Sequence, residues 1–446
     1  MSSDRTHAGR EDLDFRKSDV VFYNGGPIMV ENNHSTDASG EFHRSRSHFD
    51  DRILADADAR WPVEPGRYRL VVSLACPWAS RMLVVRRLLG LESAISLGVT
   101  DPIQDERSWR FTLDPGGVDP VLGIGFIGDA YYAREADYTG GISVPAIVDI
   151  PSGRLVTNDY LQMTLDLSTQ WTAYHREGAP DLYPEHARAE IDEIVEAVFQ
   201  DVNNGVYRAG FAAAQDKYDR AYTALFERLD RLEERLATRR YLVGDTITEA
   251  DIRLFTTLVR FDAVYHGHFK CNRNKLSEMP ALWAYARDLY QTPGFTDTVD
   301  FDHIKRHYYQ VHTDINPTRI VPLGPDLSGW NTPHGREELG GRPFGDGTAP
   351  PPPPTGEDFN VLRPGRALSV GESDRPGVDA VGGDPGQFQC VVHGGQECPG
   401  GPAPAFVDSV GPVLLDQAGF DNVDLGDVLS ARDLVAPVNQ GVPMDF

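Results

Sequence analysis

The sequence predicts an α/β domain, then an all-α domain, then a low-complexity tail. Three observations carry this. A β-rich run from Tyr68 to Leu74 leads into Cys76-Pro77-Trp78-Ala79 and a helical pattern. Between Pro184 and Phe301 apolar residues recur at helical spacing. Beyond Phe344 the composition turns to Gly, Pro, Asp and Val, with five consecutive prolines at 350–354.

Taken in order, residues 1–65 read as an irregular arm over the domain that follows, with polar runs such as Glu31 to Ser39. The α/β domain spans 66–170. After the strand at Tyr68, a helix carries Met82, Val85, Leu88 and Leu89, with Gly90 placed as its C-cap. A strand near Ala94–Val99 completes a βαβ unit. Residues 100–141, rich in Gly, Asp and aromatics, read as a long insertion. Ser143 to Asp149, a turn at Ser152-Gly153 and Leu155-Val156 form a hairpin, and a helix follows from about Asp159. The order βαβ…ββα is thioredoxin-like.

The all-α domain spans 171–345. Ile191, Ile194, Val195, Val198 and Val202 share one face, as do Tyr218, Tyr222, Leu225, Leu229, Leu232 and Leu236. Thr248-Glu249-Ala250-Asp251 is a capping box before an apolar helix from Ile252 to Val264. Residues 346–446 bury too little apolar surface to offset their ordering entropy and read as a disordered extension, with one short helix around Val423–Leu434.

The 446 residues carry a formal net charge of -25 and a pI near 4.8. Nucleic acids and anionic membranes need clustered cations, so neither is expected as a partner. The N-terminus, Met1 to Arg16, is polar and gives no secretory signal, and no run approaches the ~18–20 apolar residues of a membrane span. A cytoplasmic location is expected. Cys76, Cys271, Cys390 and Cys398 are spaced as reduced thiols, with Cys390 and Cys398 exposed in the tail. Five lysines stand against 37 arginines, the mark of a G+C-rich genome.

The chemistry centres on Cys76. It follows a strand and opens a helix, where free N–H groups and the dipole favour a thiolate. Pro77 suits the first helical turn. Val144-Pro145 begins the later strand, where a cis peptide would present backbone groups to a sulfur compound. Cys-Pro-Trp-Ala has no second cysteine one turn on, so a mixed disulfide at Cys76 needs a second small thiol to resolve it.

From about Trp61 to Phe344 the chain resembles the glutathionyl-hydroquinone reductases, the Xi-class glutathione transferases. The resemblance lies in Ala75-Cys76-Pro77-Trp78-Ala79 and in Asn203-Asn204-Gly205-Val206-Tyr207. It continues through the block from Arg260-Phe261-Asp262 to Lys270-Cys271-Asn272, then Asp302 to Tyr309 and Pro333-His334-Gly335-Arg336. It implies a glutathione transferase fold, usually a homodimer, that reduces thiol–hydroquinone conjugates through a Cys76 mixed disulfide. Tyr207 and Tyr308 are implied to be catalytic, and Tyr265 to line the quinol pocket with them. Because His266, His268 and Cys271 match the family as part of a block, no metal site is expected there. No bound cofactor is expected, only a low-molecular-weight thiol as co-substrate.

The family's Glu-Ser pair for the γ-glutamyl arm is matched here by Asp159 and Tyr160. Tyr160 puts a ring where a small hydroxyl stands, so the expected co-thiol is mycothiol, with glutathione the alternative. Backbone capture at Val144-Pro145 survives either choice. Trp109 and Arg134 are expected at the far end of the thiol. Two other readings are an omega-like thioltransferase acting on mixed disulfides and a non-catalytic scaffold of the same fold.

Overall fold

The computed structural model describes residues 34–353, together with the backbone of a short antiparallel pair, β1 (Val21–Tyr23) and β2 (Gly26–Ile28). The tail cysteines and the helix expected near residues 423–434 lie outside the described residues.

The arm is more built than its polar sequence suggests. Strands β3 (His34–Thr36) and β4 (Phe42–Arg44) pair antiparallel, and Phe42, Phe49, Ile53 and Trp61 are buried. Phe49 lies along the outer edge of the main sheet. Its carbonyl accepts from the Asn158 N–H at 3.0 Å and from the Thr157 hydroxyl at 3.0 Å. An edge that would offer unpaired backbone to solvent is thereby covered.

The main sheet has strand order β6-β5-β7-β8. β5 (Tyr68–Val72) runs parallel to β6 (Ile95–Val99) and antiparallel to β7 (Ala146–Asp149), which pairs antiparallel with β8 (Arg154–Thr157). All five residues of β5 are buried, which explains its near-continuous apolar run. Inside this domain Arg69 and Asp119 form a fully buried ion pair at 2.7 Å, and the Val121 and Leu122 N–H groups also bond Asp119. A buried pair is tolerable when its remaining polar atoms are satisfied. Gly98 makes the room: a Cβ there would lie 2.8 Å from Asp119 Oδ2.

Helix α1 (Pro77–Leu89) starts at Cys76 with Pro77 in its first turn and ends at Gly90, whose φ of 71° is left-handed. The insertion at 100–141 holds a helix the sequence reading lacks, α2 (Gly128–Arg134). Its seven residues are too few to show a period. Helix α3 (Met163–Thr169) starts four residues later than expected, because 159–162 form turns closed by the Asp159 carbonyl.

The helical half comprises α4 (Arg188–Val198), α5 (Gly205–Gly210), α6 (Gln215–Leu236), α7 (Glu249–Arg260), α8 (Pro280–Gln291) and α9 (Phe301–Val311). The capping box at Thr248 forms. Asp251 accepts from the Thr248 N–H at 2.9 Å, the Leu242 N–H at 2.9 Å and the Tyr285 hydroxyl at 2.8 Å, so one carboxylate ties α7 to α8. Two π-turns, Phe199–Asn203 and Phe261–Tyr265, follow α4 and α7. Such bulges concentrate at functional sites, and both lie next to residues of the cleft described below.

The first residues assigned to the tail are docked. The Thr348 N–H donates to Gly178 O at 2.8 Å, Arg176 Nη2 to Thr348 O at 2.6 Å and Arg87 Nη2 to Pro351 O at 2.8 Å. Truncation after Pro353 should leave the melting temperature and turnover unchanged. Truncation after Gly345 removes these bonds, at about 1 kcal/mol each, and should lower the melting temperature by several degrees.

Candidate active site

Cys76 lies on a cleft of about 710 Å³ between the α/β and helical halves, whose walls include Trp78, Trp109, Val144, Tyr160, Tyr207 and Tyr308. The thiol is 9% exposed and donates to the Val144 carbonyl at 3.3 Å. The Val144–Pro145 peptide bond is cis. Behind the thiol, Arg260 donates to the carbonyls of Ala75 at 3.0 Å and Leu74 at 3.2 Å.

The thiol is less acidic than the sequence suggests. Burial pushes its pKa up, opposed by hydrogen bonds from the Ala79 and Trp78 N–H groups and by the charges of Arg260 and Arg44. The expectation of a depressed pKa is corrected to a raised one, because desolvation outweighs the helix terminus.

Opposite the thiol, the Tyr207 and Tyr308 hydroxyls are 2.5 Å apart, and those of Tyr265 and Tyr308 are 2.9 Å apart. Burial raises all three pKa values, so the phenols stay protonated at neutral pH. Tyr207 and Tyr308 line the cleft. Tyr265 does not; it is fully buried and bonds Tyr308 from behind. Its expected place in the pocket wall is corrected to a supporting one, since its ring packs between Phe269 and Tyr308.

Trp109 reaches the cleft and stacks on His307 at 5.2 Å. Arg134, expected as a carboxylate partner for the thiol, is not among the residues lining the cleft. Its guanidinium is bound to Asp51 at 2.5 Å and sits over the Trp61 and Phe49 rings, pinning the arm. Tyr160 lines the cleft with its ring 4.8 Å from Trp78. Asp159 does not line it: its carboxylate accepts the Leu161 N–H at 3.2 Å and closes the local turn. His268 and Cys271, on the segment weighed for metal, bond elsewhere. His268 Nε2 is 3.2 Å from His312 Nδ1, and the Cys271 thiol donates to Phe269 O at 3.7 Å.

Among the cleft residues that the sequence reading missed are Arg44 and His307. Arg44 ends β4 and lies 4.6 Å from the centroids of both Trp78 and Tyr207. It lies inside a segment read as irregular, and its three-residue strand carries no period that would mark it. His307 lies within a quoted motif without a role. Its Nδ1–H donates to Pro102 O at 2.7 Å, which leaves Nε2 as the unprotonated nitrogen of a neutral ring.

Residues 215–288 match the family described as Glutathione S-transferase, C-terminal domain. The fold and this match make the chain an enzyme of the glutathione transferase class. It is 42% identical over 308 residues to glutathionyl-hydroquinone reductase YqjG of Escherichia coli K12, covering 67% of this chain and 93% of that one. A solved glutathione transferase from Gordonia bronchialis is 68% identical with a TM-score of 0.68, over 68% of this chain and 95% of that one. The glutathione-bound structure of YqjG aligns at 40% identity and a TM-score of 0.61, over 67% of this chain and 98% of that one. The chain belongs to the glutathionyl-hydroquinone reductase family, the Xi-class glutathione transferases.

Two pH effects follow. Because the neutral thiol is favoured, less thiolate is present at pH 7 than in free cysteine. Iodoacetamide labelling of Cys76, taken against Cys76→Ser, should rise with pH to a midpoint above the usual value of about 8.5; a midpoint below 7 would contradict the burial argument. Burial also pulls His307 down to about 4. The unfolded chain binds that proton first, so stability present above about pH 6.5 is lost as pH falls toward 4. Melting temperature should drop between pH 7 and pH 5, and less steeply in His307→Asn.

Proposed function

We propose that this protein cleaves thiol–hydroquinone conjugates through a mixed disulfide at Cys76. The observation that supports the reading most is the protonated Tyr207–Tyr308 pair in the same cleft as the thiol. In the first step the Cys76 thiolate attacks the sulfur of the conjugate. A sulfur–sulfur bond forms, the aryl carbon–sulfur bond breaks, and its electron pair returns to the ring. A tyrosine hydroxyl gives the sulfur-bearing carbon its proton, and hydroquinone leaves. A second co-thiol then loses its proton, which returns the tyrosine to its neutral form. It attacks the mixed disulfide, giving a symmetrical disulfide and the free Cys76 thiolate.

For the co-thiol, the reading is one without a γ-glutamyl arm, with mycothiol ahead of glutathione. Asp159 closes a turn beside the cleft, and Tyr160 fills space against Trp78. The cleft wall toward Val144 carries neutral groups from Ser143, Asn158 and Thr139, and its carboxylate, Glu135, already faces His48 at 3.2 Å. The glutathione-bound relative supports the alternative. The protein is read as a cytoplasmic homodimer; among the described residues no helix is long and apolar enough to cross a membrane.

Cys76→Ser should abolish turnover of both a quinol thioether and a small mixed disulfide. Tyr308→Phe should lower kcat on the thioether by about 10²–10⁴, the usual worth of a general acid, and leave mixed-disulfide reduction within about threefold. Equal retention of both activities would favour the omega-like thioltransferase reading. Turnover with glutathione equal to or better than with mycothiol would refute the co-thiol assignment.

A further inference from the structure

We propose that Arg44, carried by the N-terminal hairpin, is the cation that balances the charge entering the quinol ring as the carbon–sulfur bond breaks. The inference rests on the hydroquinone reading above and adds a residue outside both halves of the fold.

The geometry is unusual for an arginine. The guanidinium is held 4.6 Å from the Trp78 centroid and 4.6 Å from the Tyr207 centroid, with Phe42 at 5.4 Å. Nε donates to the Asn204 amide oxygen at 2.9 Å. Nη2 is buried without a hydrogen-bond partner. No carboxylate among the described residues forms an ion pair with it. Arg208 and Arg220 pair with Glu41 and Arg134 with Asp51, whereas Arg81, 4.5 Å from the Trp78 centroid, has no ion pair among the described residues and bonds Asn203 at 2.8 Å. A partly desolvated cation held by rings and a neutral amide lacks its counter-anion. The side chain lines the cleft shared by Cys76, Tyr207 and Tyr308, where an anion would come from the substrate.

The reaction supplies that anion. With the ring hydroxyl ionised, the tyrosine proton converts the sulfur-bearing carbon to its keto form, and attack at sulfur then returns the carbon–sulfur electron pair to the π system, leaving the charge on the ring oxygen. Tyr207 and Tyr308 bring the proton, and Arg44 offers charge to the ring oxygen. A guanidinium fixed beforehand needs little reorganisation to do so. The hairpin is held for this purpose: Glu41 reaches Lys217 at 3.1 Å, Phe42 stacks on Phe211 at 5.7 Å, and the Ala213 N–H donates to Gly40 O at 3.0 Å.

The test compares two substrates on wild type, Arg44→Met and Arg44→Lys. Methionine keeps apolar cover on the rings and removes the charge. One substrate is a quinol thioether and the other the mixed disulfide of the co-thiol with 2-mercaptoethanol, whose cleavage leaves charge on sulfur and none on a ring. Rates are taken on the plateau of each variant's Cys76 alkylation profile, so an altered thiol pKa does not enter. The expected result for Arg44→Met is a loss of about 10²-fold in kcat on the thioether and under threefold on the disulfide, with part of the thioether rate regained in Arg44→Lys. Equal losses on both substrates, or an unchanged thioether rate, would overturn the role of Arg44 and leave the function standing. A wild type that reduces the disulfide but cleaves no quinol thioether would overturn both.

Discussion

The site depends first on the buried guanidinium of Arg260. It stands at the end of α7 and donates to Ala75 O, Leu74 O, the Ser80 hydroxyl at 2.7 Å and Thr256 O at 2.7 Å. Leu74 and Ala75 immediately precede Cys76, so one side chain of the helical domain fixes the turn that carries the thiol. Charge-assisted bonds of this kind contribute about 1.5–3 kcal/mol each. Losing them would strand a buried cation. A second tie runs alongside, from Arg81 Nη2 to the Asn203 side chain at 2.8 Å and from Asn203 Nδ2 to Thr257 at 2.7 Å. Thiol and phenols come from different domains, and these two ties set their separation.

Burial acts on those groups in opposite directions as far as the chemistry is concerned. It keeps the phenols protonated, which suits proton donors, and it also keeps the thiol protonated, which does not suit a nucleophile. A helix N-terminus is worth about 0.3–1 kcal/mol at exposed sites, less than the 1.36 kcal/mol of one pKa unit. Desolvation is the largest single influence on Cys76 and outweighs the α1 terminus and the arginine charges together. The pull toward thiolate comes first from the Ala79 N–H in the first turn of α1, then from Arg260, the Trp78 N–H and Arg44. Deprotonation is left incomplete in the free protein, and the nucleophile depends on its helix terminus at least as much as on these two charges.

Much of this was legible in the sequence, for reasons that differ by residue. Cys76 stood out because strand, proline and helix signals converge on one thiol. The helices α6 and α7 were legible because long amphipathic elements repeat their pattern several times, and Thr248 and Asp251 mark their cap locally. Tyr265 was placed one layer too near the substrate, because a motif records that a residue belongs to a site and not its depth. Arg134 was misplaced because its partner, Asp51, lies 83 residues away. The hairpin at 34–44 was missed because its three-residue strands are too short for a period, and its stability comes from rings on the helical domain. The thiol pKa failed for the same reason: desolvation is a property of the closed cleft and leaves no local mark.

The arm also changes what the departure at Tyr160 means. Tyr160 packs on Trp78 at 4.8 Å, Trp78 stacks on Tyr207 at 6.2 Å, and Arg44 covers both Trp78 and Tyr207. A ring introduced on the co-thiol side is therefore in contact with the residue that supports the quinol side. Tight interiors transmit such changes because few voids absorb them. The larger side chain both removes a small hydroxyl from the co-thiol side and buttresses Trp78, which in turn fixes the plane on which Arg44 rests. On the proposed function, selectivity for the co-thiol and placement of the Arg44 cation would thus be linked through one indole, and a chain that altered the first without Tyr160's packing would loosen the second.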